Sequence, residues 1–185
     1  MRIFYFTLLI ILSFTNSIKA NEKDQTINIL QKGGNLIFIR HAYAPGGGDP
    51  ENFNINNCDT QRNLNDDGRK QSVKIGNFFL SNEIPIDEVL SSNWCRCKDT
   101  AKLAFKDYKT VNFLNSFFSS KFAHNREPQM KDLKSYIKNW DGNKNLVLVT
   151  HYVVITEALG YAPSSGEIVV SDKNFNKVGS IKINY

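Results

Sequence analysis

Two short apolar runs constrain this chain more than any other feature: Leu36-Ile37-Phe38-Ile39 and Leu146-Val147-Leu148-Val149. Neither alternates apolar with polar residues, so each reads as the centre of a strand buried on both faces, the first over Asn35–Arg40 and the second over Asn145–Thr150. Strands of that kind need helices on either side, and the rest of the chain supplies them. Asn65 caps a helix running to Ser81, with Ile75, Phe78 and Phe79 at i, i+3, i+4. Gly76 weakens that pattern, since glycine inside a helix costs about 1 kcal/mol against alanine. Helical spacing resumes over Trp94–Phe105 and over Glu127–Trp140, and a short helix over Val153–Leu159 stops at Gly160. Thr26–Lys32 reads as a helical turn ended by Gly33-Gly34. Further strands are expected at Asp87–Ser91 and Thr110–Phe113, and the alternating runs Glu167–Ser171 and Lys177–Ile183 read as a terminal hairpin. This order predicts an α/β fold, a three-layer α/β/α sandwich around a mostly parallel sheet, whose ligands gather at the C-terminal ends of the strands.

The first twenty residues differ from the rest. Arg2 provides a positive start, Ile3–Phe14 is mostly apolar, and small Ala20 closes a polar stretch. This reads as a secretory signal peptide over 1–20, too short in its apolar part for the roughly 20 residues that span a bilayer. One domain over 21–185 is then expected, soluble, with no membrane span, and periplasmic or secreted. Losing Arg2 and Lys19 takes the formal charge from +5 to +3. The remaining basic residues are interleaved with acids, which argues against a nucleic-acid partner and leaves small anions as plausible ligands. Of the three cysteines, Cys58, Cys95 and Cys97, two can form a disulfide in an oxidising compartment. They lack a fourth ligand for zinc, and His124 and His151 stand at no ligand interval from them, so neither a metal nor another cofactor is expected.

Chemistry converges where strands end. Arg40-His41 closes the first strand, Arg96 opens the helix after the second, and His151 follows the Leu146–Thr150 run. Parallel strands bring these four side chains to one rim. Guanidiniums match phosphate oxygens through paired, charge-assisted hydrogen bonds, and the N-terminus of the Arg96 helix offers oriented N–H donors. A neutral imidazole attacks phosphorus well, provided a backbone carbonyl near Ala42 holds the other ring nitrogen.

These segments resemble the histidine phosphatase superfamily with its phosphoglycerate mutase-like fold. Leu36–Ala42 is similar to its signature strand and nucleophile, Arg62-Asn63-Leu64 through Gly68 to its helix entry, Ser91-Ser92 through Cys95-Arg96 to Thr100-Ala101 to its second arginine segment, and Leu146–His151 to its closing strand. The resemblance implies that His41 accepts the phosphoryl group while Arg40, Arg96 and His151 bind it. The chain also resembles short exported bacterial members, including some acting on lipopolysaccharide core sugar phosphates. One departure is clear: many members carry Leu-x-Glu, whose glutamate protonates the leaving oxygen, whereas Leu114 here precedes Asn115 and Ser116. Asp49, Asp59 and Glu127 are the candidate acids in its place.

Arg62 reads either as a substrate ligand or as an ion-pair partner of Asp59 or Asp66, and His124 as an exposed histidine. A Cys58–Cys95 disulfide is expected, leaving Cys97 free, with Cys58–Cys97 the close competitor. The function that follows is hydrolysis of a small phosphomonoester through a phosphohistidine at His41, without a metal. A phosphate-binding module without turnover and a mutase-like phosphotransferase are the alternatives.

Overall fold

The computed structural model describes residues 22–185. The proposed leader over 1–20 lies outside the described residues. Among those described, no helix is long and apolar enough to cross a membrane.

The chain begins in a helix over 22–32, α1, longer than the turn expected there. Strand β1 (Leu36–Arg40) and strand β4 (Asn145–Thr150) pair in parallel at the middle of a six-stranded sheet of order β3-β2-β4-β1-β5-β6. Strand β2 (Ile86–Ser91) lies on the other side of β4, also parallel, and a two-residue β3 (Lys109–Thr110) closes that edge. On the opposite flank β5 (Ile168–Ser171) and β6 (Lys177–Ile181) run antiparallel, making the sheet mixed.

Successive residues of the central strands feed two separate cores, which is why those runs contain no polar residue. Ile37, Ile39, Val147 and Val149 pack against α1, α2 (Asp66–Ser81) and α3 (Cys95–Phe105). Leu36, Phe38, Leu146 and Leu148 pack against α4 (Arg126–Asn139) and α5 (Tyr152–Leu159). The result is the three-layer arrangement. Gly76 has a positive reason to be there: a Cβ would lie 2.2 Å from the Ala104 carbonyl oxygen, where α2 crosses α3.

The strand expected over Thr110–Phe113 is the main difference. Only Lys109–Thr110 pairs with β2, and Asn112–Leu114 turns into a 3-10 helix. That turn buries Leu114 and carries Asn115 back to the rim, where its side-chain oxygen accepts the Asn93 N–H at 2.8 Å.

Candidate active site

Register explains how two histidines far apart in sequence become neighbours. Arg40 pairs with Thr150 across β1 and β4, so the next residues, His41 and His151, leave the sheet side by side. The His41 N–H donates to the Thr150 carbonyl at 2.9 Å, and the two rings lie edge to face with centroids 5.5 Å apart. Both are buried. A carbonyl can only accept, so the 2.8 Å contact between His41 Nδ1 and the Ala42 oxygen assigns the proton to Nδ1 and leaves a lone pair on Nε2. The His151 Nε2 contacts Ser92 Oγ at 3.0 Å and Cys97 Sγ at 3.5 Å, and Ser92 Oγ also contacts Asn115 Oδ1 at 3.1 Å.

Burial, then the Arg96 guanidinium, pushes His41 well below the usual imidazole range. The Ala42 carbonyl opposes that shift, and Arg40 and Arg62 add to it. Burial and Arg96 depress His151 as well, with His41, Arg62 and Arg40 contributing. Both rings are therefore neutral near pH 7, the state in which Nε2 of His41 is nucleophilic.

Three guanidiniums face this volume. Arg40 donates to the Pro163 carbonyl at 2.8 Å and lies 5.3 Å from the Tyr152 ring centroid. Arg62 donates to the Gly48 carbonyl at 2.9 Å and to that of Ala44, not to Asp59 or Asp66. Arg96 is buried and holds Asp49 by two prongs, Nη1 to Oδ1 at 2.8 Å and Nη2 to Oδ2 at 3.3 Å. The buried Nε atoms of Arg40 and Arg96 find no hydrogen-bond partner among the described residues. The donors expected from the start of α3 are partly spoken for: the Cys95 N–H goes to Gln61 Oε1 at 2.9 Å and the Cys97 N–H to the Trp94 carbonyl at 3.0 Å.

Arg40, His41, Asp49, Arg62, Arg96 and His151 all line one cleft of about 590 Å³. Asp59 and Glu127 are exposed and do not line it, and exposed His124 borders a different depression with Glu127. Cys58 and Cys95 are joined, with Cα atoms 5.7 Å apart, and Cys97 is a buried free thiol that burial pushes up to about 12. Among the described residues no cluster of three His, Cys, Asp or Glu is arranged to hold a metal.

No family model matches the chain, and no curated protein does. Solved structures do. The protein histidine phosphatase SixA, complexed with tungstate, superposes with a TM-score of 0.53 at 15% identity, over 82% of this chain and 94% of that one. The Rv3214 product of Mycobacterium tuberculosis gives 0.56 at 16% identity, over 81% and 96%. TTHB049 from Thermus thermophilus gives 0.56 at 14% identity, over 81% and 99%. The chain has the histidine phosphatase fold.

Within that fold, sequence reasoning passed over Lys121, Trp94 and Tyr152 as cleft residues. Lys121 sits in a 3-10 helix (Ser120–Asn125) with no periodicity to flag it. Tyr152 follows His151 directly and so lies at the same strand end.

Proposed function

We propose that this protein is an exported phosphomonoesterase that carries the phosphoryl group on Nε2 of His41. The observation that carries the reading is the His41 ring itself: buried, kept neutral, its Nδ1–H tied to Ala42, and its Nε2 presented to a cleft walled by Arg40, Arg62, Arg96 and His151. Nε2 attacks phosphorus as the ester oxygen leaves, and water then cleaves the P–N bond to release inorganic phosphate and regenerate the imidazole. The guanidiniums supply the positive charge that a transferring phosphoryl group needs, so turnover without a metal is expected. Arg40, Arg96 and His151 bind the phosphoryl oxygens in this reading, and Arg62 reaches the same anion or the group attached to it. The Cys58–Cys95 disulfide supports maturation outside the cytoplasm. The test is a rapid quench with labelled ester: an acid-labile, base-stable adduct forms on the native protein and is absent from His41→Ala. Near-normal turnover by that variant overturns the reading.

A further inference from the structure

We propose that Asp49 is the proton donor to the leaving oxygen, and that it reaches that state by exchanging places with the substrate's phosphoryl group at Arg96. The inference rests on the phosphomonoesterase reading and adds the acid missing from it, since Ser116 stands where the glutamate would serve.

Asp49 occupies Arg96 as a phosphate would. Its Oδ1 accepts from Arg96 Nη1 at 2.8 Å and from the Arg62 N–H at 3.2 Å, and its Oδ2 from Arg96 Nη2 at 3.3 Å and Trp94 Nε1 at 3.0 Å. A two-pronged carboxylate on a guanidinium is the same recognition geometry that arginine uses for phosphate. Arg96 cannot serve both anions with the same two nitrogens. The carboxylate follows Gly46-Gly47-Gly48, with φ of +84° at Gly46 and +71° at Gly48, and a Cβ at Gly47 or Gly48 would meet nothing within 4 Å. Open space therefore lies beside Gly47 and Gly48, and the Arg62 bonds to the Gly48 and Ala44 carbonyls are what a withdrawal of the carboxylate must loosen.

The proton balance closes without another reactant. A monoanionic ester enters bearing one acidic proton. Arg96 transfers from Asp49 to the phosphoryl oxygens, and the carboxylate, having lost a cation and gained an anionic neighbour, takes that proton. His41 Nε2 forms the N–P bond, the P–O bond to the alcohol breaks, and the departing oxygen takes the proton from Asp49. The carboxylate then accepts a proton from the water that attacks phosphorus, the P–N electron pair returns to His41, and the proton leaves with monoanionic phosphate. Asp49 returns to Arg96 and so favours product release.

Asp49→Asn keeps one acceptor, for the Arg62 N–H or the Trp94 Nε1–H but not both, and neither the charge nor the transferable proton. Turnover of an alkyl phosphate is expected to fall by about 10²–10⁴-fold and that of 4-nitrophenyl phosphate much less, because its leaving group needs little protonation. Inorganic phosphate, titrated calorimetrically, is expected to bind the variant several-fold more tightly. Equal losses on both esters, or weaker phosphate binding, overturn the proposal and make Asp49 a brace for Arg96. Asp49→Ser gives the same two readouts if the Asn variant does not fold. Unimpaired turnover by His41→Ala would instead remove the phosphatase reading itself, whatever the Asp49 variants show.

Discussion

Reducing the Cys58–Cys95 bridge is the perturbation whose size follows most directly from the structure. The two cysteines are 37 residues apart in sequence. For a loop of that length the chain-entropy relation gives about 4 kcal/mol at about 25 °C, all of it from constraint of the unfolded chain. Reduction leaves both side chains in place, so no cavity term adds to it. A loss of that size is a large share of the ~5–15 kcal/mol that holds a domain together. For a domain of this length it lowers Tm by about 8–16 °C, at roughly 2–4 °C per kcal/mol. The reduced chain also unfolds to a more open state, so the urea m value is expected to rise. Urea unfolding followed by circular dichroism, with and without dithiothreitol, measures both. Cys97→Ser removes the third thiol from exchange. A stability difference below about 1 kcal/mol would refute the reasoning, because it would mean that the open and closed unfolded chains are nearly alike.

Arg96→Ala is expected to weaken binding of inorganic phosphate by on the order of 10- to 100-fold, from the roughly 1.5–3 kcal/mol of hydrogen bonds to a charged group, with turnover falling in step; unchanged affinity by calorimetry would place the anion elsewhere. His41 and His151 are both depressed well below 6.5, so below that pH the unfolded chain binds protons that the folded chain refuses. Stability is therefore expected to be full above about pH 6.5 and to fall beneath it by up to about 1.4 kcal/mol per histidine per pH unit, which urea titrations at about pH 7.5 and 5.5 will show. Gly76→Ala gains about 1 kcal/mol of helix propensity but drives a Cβ to 2.2 Å from a backbone oxygen that cannot swing aside. Overpacking of roughly 1–3 kcal/mol outweighs the gain, and thermal unfolding should show a lower Tm.

The central strands are legible in sequence because a strand buried on both faces must be apolar throughout, and Leu36–Ile39 and Leu146–Val149 satisfy that without a competing pattern. Their common polarity at the C-terminal end, Arg40-His41 and Thr150-His151, follows from the parallel pairing. The edge was not legible. Two residues of β3 hold their place by bonding to β2, and the chain leaves them because Leu114 and Asn115 have partners elsewhere. Nor does sequence spacing disclose that Asp49 lies on Arg96 or that Pro163 receives Arg40, contacts spanning 47 and 123 residues and set by loop paths rather than by periodicity. The positive φ values of Gly46 and Gly48 belong to the same loop geometry, of which composition records only that glycine is present.

The sequestered Cys97 thiol bears on how the chain matures. Three cysteines allow three pairings, two of which include Cys97, and one of those would join residues separated by a single position. Once α3 settles on the sheet, the sulfur lies buried against His151, and burial holds its proton on. Exchange proceeds through thiolates, so a wrong bridge must form before that docking or not at all. Packing thus acts as a proofreader: it lets an odd cysteine persist at the edge of the site while the other two close their loop.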